Sequence, residues 1–241
     1  MATFYGPVLP QIGNLRHLID ASSGNDVDLV SGGGTINYTG TFNYTDGHYY
    51  FSGSSTYMVA TDYNKMQFNG PTTISVWIRP TTLPSSGNTG RISCIFQIDN
   101  GSNETIDFGL ADSLDTGWGD AKFFVSMEES NGVDHPVIGS TTIVTDNWYH
   151  LCMVEDGSYV RLYVNGIQEG YLASSTWTRE GGPISTINVA AGSTQGGGYY
   201  GSGNRFFGYL NNLAMWQSAL TADEVKYLYE STKSRYTETS L

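Results

Sequence analysis

The stretch "DNWYHLCMVEDGSYVRLYVNG", from Asp146 to Gly166, constrains the fold more than any other part of the chain. Two runs rich in β-branched and aromatic residues, Trp148 to Val154 and Tyr159 to Val164, flank an acidic Asp-Gly turn. In the second run Val160, Leu162 and Val164 alternate with Tyr159, Arg161 and Tyr163. A period of two puts one set on the buried face of a strand and the other on its opposite face. Asp156-Gly157 and Asn165-Gly166 supply the positive-φ positions that tight hairpins need, so the stretch reads as a β-meander.

The same pattern recurs along the chain. Candidate strands are "HYYFSG", "STYMVA", "TTISVWIRP", "RISCIFQI", "TIDFGLA", "KFFVSME", "TTIVT", "WYHLCMVE", "VRLYVNG", "ISTINVAA" and "FFGYLNNLAMW", with Gly, Asn, Asp, Ser or Pro at the joints. Many short strands with regular turns predict an all-β sandwich or barrel. One helix is expected, in "LTADEVKYLYEST", where Thr221 and Glu224 form a capping box and Val225, Leu228 and Tyr229 share a face. No internal repeat or separating linker is present, and 241 residues suit one large β domain. Residues 1–17, with Pro7 and Pro10, read as an extended arm, 18–230 as the domain, and 231–241 as a polar tail.

Charge narrows the function classes. Eleven Lys and Arg against 23 Asp and Glu give a net charge of -12, which repels phosphate backbones and argues against nucleic-acid binding. No apolar run reaches the about 18 residues that a membrane span needs. "MATFYGPVLPQIGNLRH" lacks the basic start and long apolar stretch of a secretory signal, so the sequons at Asn37, Asn43 and Asn103 read as accidents of composition. Cys94 and Cys152 sit in apolar strands without metal-ligand spacing; they read as buried thiols, with a disulfide between neighbouring strands as the alternative.

Residues that could carry chemistry are few. His17, His48, His135 and His150 are scattered, and no G-x-S-x-G elbow is present. Glu128 and Glu129 are adjacent, so in a strand they face opposite ways. The glycine-dense "STQGGGYYGSGN" is followed by a strand instead of the helix that a phosphate cradle requires. Sugar binding is the stronger possibility, because aromatic rings on loops stack on sugar faces: Tyr199 and Tyr200 in the glycine loop and Trp118 in "DTGWGD" are the candidates. The structural reading of the same residues is packing over sheet edges or against a neighbour.

Four stretches, in order, resemble one family. "YFSGSSTYMV", "TTISVWIRP", "NWYHLCMVEDGSYVRLYVNG" and "FFGYLNNLAMWQSALTADEVKYLY" are similar to successive motifs of laminin-G-like and pentraxin-like domains. The resemblance implies a concanavalin A-like jelly roll, two antiparallel sheets face to face with the last helix lying across them. It also implies packing roles for Trp77, Trp148 and Trp216. Pentraxin-like members bind calcium, and Asp99, Asn103 and Glu104 stand in the corresponding early loop. In the late loop Gln195 remains, but Thr194 and Gly196 replace acidic residues; Ser52 and Asn211-Asn212 likewise stand where the family has acids. A hard cation that takes six to eight oxygens is poorly served by so few carboxylates, so no cofactor is expected and calcium is the exception to test. The fold's glucanases carry an E-x-D-x-x-E run that sets acid and nucleophile about 5–5.5 Å apart; none occurs here, and the chain is expected to be non-enzymatic.

The segment "LIDASSGN" before the first motif resembles modules in structural proteins of tailed bacteriophages. The expectation is therefore a virion surface protein, a capsid decoration or accessory protein. Its partners would be other virion proteins or copies of itself, engaged through the terminal arms, and host or environmental glycans. A tail fibre or tail-tip adhesin, and a free or cell-surface extracellular lectin, are the alternatives. Glycoside hydrolysis would enter only if two carboxylates lay together in a groove of the sandwich.

Overall fold

In the computed structural model the described residues are 14–21, 30, 39–53, 56–60, 70–84, 92–100, 104–111, 121–174, 178, 180, 184, 186–190, 193–194, 198–199 and 205–237. They form the expected jelly roll. The first sheet runs, in spatial order, β13 (Ile167–Ala173), β12 (Tyr159–Val164), β11 (Tyr149–Glu155), β6 (Thr72–Pro80), β17 (Phe207–Trp216), β4 (His48–Ser52) and β3 (Asn43–Thr45). β1 (Leu15–Ile19) lies beside the second half of β17. The second sheet runs β10 (Asp134–Thr142), β9 (Lys122–Glu128), β8 (Glu104–Ala111), β7 (Ile92–Asp99), β14 (Thr186–Val189), β5 (Tyr57–Ala60) and β2 (Thr39–Thr41). A two-stranded ribbon, β15 (Ser193–Thr194) and β16 (Gly198–Tyr199), completes the strands, and α1 (Ala222–Thr232) and α2 (Ser234–Thr237) follow.

Alternation sets the core. Ile74, Val76 and Ile78 of β6, Leu151 and Met153 of β11, and Val160 and Leu162 of β12 point at Phe96, Ile106, Phe108, Phe123 and Val125 of the second sheet. Phe96 and Phe108 stack across neighbouring strands at 4.5 Å. Each large apolar side chain so buried contributes about 1.5–3 kcal/mol. The meander forms as its sequence predicts: β11 and β12 pair from Leu151↔Val164 to Glu155↔Val160, and Asn165 and Gly166 take φ of 51° and 77° in the next turn.

The outer face of the first sheet carries a second, smaller core. Cys152, Val154, Tyr163, Ala214 and Trp216 point outward and meet Leu220, Val225 and Leu228, so α1 lies across the sheet. The capping box at its start is complete: Glu224 N–H donates to Thr221 Oγ1, and Thr221 N–H donates to Glu224 Oε2 at 2.7 Å. A bulge in β17 between Asn211 and Ala214, with Asn212 at φ 48°, makes this possible. Before the bulge the odd residues Tyr209 and Asn211 face outward; after it the even residues Ala214 and Trp216 do, leaving Leu213 and Met215 for the main core.

The differences from the sequence reading lie at edges. β1, β2, β3 and β13 are strands that the pattern did not reveal, and of "TTIVT" only Thr141 and Thr142 are strand, the last two residues of β10, which begins at Asp134 and includes Pro136. β10 and β13 are edge strands, where one set of backbone groups meets no strand and polar residues and Pro are tolerated, so alternation is blurred. Leu15 to His17, read as the end of an arm, are the first residues of β1, and the helical segments run past residue 230 to Thr237. Both cysteines are buried thiols, Cys94 in the second sheet and Cys152 in the first, and burial pushes the Cys152 thiol well above its ordinary range. Among the described residues no helix is long and apolar enough to cross a membrane.

Candidate binding surface

Sheet register, not sequence proximity, assembles the surface. On the outer face of the first sheet, Asn43↔Tyr50, Tyr50↔Tyr209 and Tyr209↔Arg79 are successive cross-strand partners. The β11–β6 register, Tyr149↔Ile78, brings Trp148 up against Arg79. One row therefore crosses five chain segments at right angles to the strands. The rings of Tyr50 and Tyr209 are 4.8 Å apart, the Arg79 guanidinium lies 4.2 Å from the Tyr209 centroid, and it is 5.9 Å from that of Trp148. Tyr50, Tyr209, Arg79 and Trp148 are all half-buried.

The next row, His48, Asn211, Trp77 and His150, is covered by the helical segment. Trp77 stacks on Tyr236 at 4.2 Å and donates its indole N–H to Thr232 at 2.9 Å. His150 is wholly buried, with Nε2 2.7 Å from Ser75 Oγ, and burial pushes its pKa down to about 3. His48 is lowered to about 4, by burial first and then by the charges of Arg235 and Arg79. Asn211 is saturated: its oxygen accepts from the Ala21 and Asn212 N–H groups, and its nitrogen donates to Gly47 O. Arg235 forks onto Asp20 at 3.1 and 3.3 Å, fastening the helical segment to the end of β1. With its amide nitrogen toward Asp20, Asn212 joins this knot and accepts from Tyr236. These groups hold the fold together. The Ser75–His150 pair shares that role, because neither residue is open to a substrate.

The outer face of the second sheet gathers carboxylates. Glu128 and Asp134 are cross-strand partners, and Asp107 sits diagonally, opposite Ser126. The Ser126 hydroxyl donates to Asp134 at 3.4 Å. Glu128 and Asp107 are only 4% and 7% exposed, and the backbone of Thr178 and Glu180 bonds to Ser130 and Glu128 at the end of β9. Glu129, on the other face as expected, pairs with His135 at 3.1 Å.

Of the residues singled out from sequence, Trp118, Tyr200 and Asn103 lie outside the described residues, as do the side chains of Tyr199 and Glu104. The backbone of Tyr199 pairs with Ser193 in the small ribbon. The backbones of Asp99 and Glu104 are cross-strand partners beside a bulge, and Asp99 accepts from the Asn188 amide at 3.4 Å. Among the described residues no group of three or more acidic, His or Cys side chains could hold a metal ion. Trp77 and Trp216 are core residues, whereas Trp148 is half-exposed at the end of the aromatic row. That row is what sequence reasoning missed. Its only trace was the outward position of Tyr209, Arg79 and Tyr50 in three alternating strands.

Residues 51–226 match the Laminin_G_3 family model of the concanavalin A-like lectin/glucanases superfamily. The chain belongs to this family. No curated protein matches the Laminin_G_3 chain in sequence. Among solved structures it is similar to the binding domain of Paraclostridial Mosquitocidal Protein 1, at 18% identity and TM-score 0.70, covering 90% of this chain and 52% of that one. Domain 4 of AbnA, a GH43 extracellular arabinanase from Geobacillus stearothermophilus in complex with arabinotriose, aligns at 18% identity and TM-score 0.64, over 90% of this chain and 98% of that one. The botulinum neurotoxin serotype D ligand binding domain in complex with N-acetylneuraminic acid aligns at 14% identity and TM-score 0.65, over 90% and 50%. The Laminin_G_3 chain thus spans about half the length of the two toxin domains, and the likeness is one of fold.

Proposed function

We propose that this Laminin_G_3 chain is a non-enzymatic glycan-recognition module. The observation that carries the reading is the half-buried aromatic row on the outer face of the first sheet, beside the helical segment, whose Tyr236 meets Trp148 at 4.8 Å. Flat rings with polar edges at regular intervals suit sugar rings, which present an apolar face and a rim of hydroxyls. Fold relatives determined with arabinotriose and with N-acetylneuraminic acid support the ligand class. A glycan array probed with the purified chain tests it: binding to a defined set of sugars is expected, and absence of binding across the array overturns it.

Glu128 and Asp134 form the adjacent carboxylate pair that would favour glycoside hydrolysis. The small exposure of Glu128 leaves little room for a sugar or an attacking water, so the pair is read as structural. Release of reducing ends from β-glucans, abolished in Glu128→Gln, would reverse this.

The setting belongs to the same proposal. The resemblance of "LIDASSGN" to phage modules supports a module carried on a tailed-phage particle as a decoration or accessory protein, with glycans as its outward ligand. The supporting result is recovery of the chain from purified particles, lost when residues 1–13 are deleted.

A further inference from the structure

We propose that the row Tyr50–Tyr209–Arg79–Trp148 selects acidic saccharides, with Arg79 receiving the carboxylate of a uronic- or sialic-acid-type residue whose ring lies against the neighbouring aromatics. This rests on the glycan-recognition reading and specifies its ligand.

Arg79 carries a charge that faces no carboxylate among the described residues. Arg161, Lys233 and Arg235 each face a carboxylate, Asp156, Glu230 and Asp20 respectively. The Arg79 guanidinium faces two aromatic rings instead, and among the described residues the side chain forms no ion pair or hydrogen bond. Its Nε is buried without a hydrogen-bond partner. A buried donor left unsatisfied costs about 1–3 kcal/mol, and Nη1 and Nη2, which are not among the buried unpartnered atoms, are the groups that an acceptor supplied from outside can reach. In a chain of net charge -12, an unpaired cation on a half-open surface is also the place where an anion meets least repulsion.

The surroundings define the rest of the ligand. The Tyr209 face covers one side of the guanidinium, leaving its planar edge to form two parallel hydrogen bonds with a carboxylate. The hydroxyls of Tyr50 and Tyr209 and the indole N–H of Trp148 bond to no described residue, which leaves polar groups of both kinds for ring hydroxyls. Strands about 4.8 Å apart make the row from Tyr50 to Trp148 about 14 Å long, enough for a short run of sugar units rather than a single ion. A phosphate or sulfate polyanion would want several cations; here a single arginine is set among rings.

The test compares acidic glycans, oligogalacturonates and sialylated oligosaccharides, with their carboxyl-reduced counterparts on one array, followed by calorimetry on the best binder. Carboxyl reduction and Arg79→Gln should each weaken binding at least about tenfold, with Arg79→Lys intermediate. The indole N–H resonance of Trp148 should shift on titration with the acidic sugar and not with the reduced one. Thermal unfolding of Arg79→Gln checks that its loss is not a loss of fold, and Tyr209→Leu supplies a second variant that removes the ring and retains the charge. Binding of neutral glycans that is indifferent to Arg79 overturns this proposal and leaves glycan recognition standing. Failure to bind any glycan overturns both. Capture of acidic peptides in preference to acidic sugars overturns this one in favour of a protein partner.

Discussion

Glu169, on the last strand of one sheet, holds Thr141, on the last strand of the other: its carboxylate accepts the Thr141 backbone N–H at 2.8 Å and the Thr141 hydroxyl as well. The same Oε2 accepts the Ser140 N–H at 2.8 Å. β13 and β10 are both edge strands, so one side chain satisfies backbone donors that would otherwise be open to another chain. Glu169→Ala should cost about 1 kcal/mol by removing the acceptor from these partly exposed donors, read as a lower urea midpoint. It should also raise the tendency to self-associate, read by light scattering. Glu169→Gln, which keeps an acceptor, should lose less.

Acid should loosen the helical segment. An unfolded histidine takes up its proton near pH 6.5, whereas His150 and His48 in the fold wait until about 3 and about 4. Between those values the unfolded chain binds more protons, so stability is complete above about pH 6.5 and declines as pH falls through the window. For His150 the slope approaches about 1.4 kcal/mol per pH unit; half-exposed His48 adds less. Urea unfolding at pH 7, 5.5 and 4.5 measures the decline. His150→Gln should flatten it, and an unchanged slope in that variant would place the acid sensitivity elsewhere.

Two truncations separate an arm from a strand. Removing residues 1–13 leaves β1 whole and should leave thermal unfolding within about 0.5 kcal/mol of the parent. Removing residues 1–20 takes away β1, the fully buried Ile19 and the Asp20 partner of Arg235, and should cost several-fold more. If the two behave alike, β1 adds nothing to the sandwich.

Gly208 should tolerate no side chain. Its φ of 149° and a Cβ position 2.3 Å from the Arg79 backbone oxygen mean that Gly208→Ala must push β17 away from β6. A loss of about 2–3 kcal/mol is expected on denaturant unfolding. Because Tyr209 and Arg79 are partners in that ladder, sugar affinity should fall with it.

How far sequence carried these conclusions depends on the range of the interactions. The meander and the capping box were legible because their signals are local: alternation within six residues, a turn at Asn165-Gly166, a threonine three residues before a glutamate. The edge strands were not, because Glu169 and its partners satisfy β10 and β13 by contacts between sheets that leave no period in either segment. The aromatic row was hidden for a different reason. Tyr50, Arg79, Trp148 and Tyr209 belong to distant segments, and their alignment depends on which strands pair and in what register. The aromatics on expected loops, Trp118, Tyr199 and Tyr200, have side chains outside the described residues.

Because the row runs across the strands, its pitch is that of the hydrogen-bonded ladder itself. The backbone acts as a ruler, and the side chains only decide which marks are inked. Exchanging Tyr50 or Trp148 for another residue changes the chemistry presented at one mark while the spacing stays the same. Single rungs can therefore be repainted, provided that the sheet beneath is left alone.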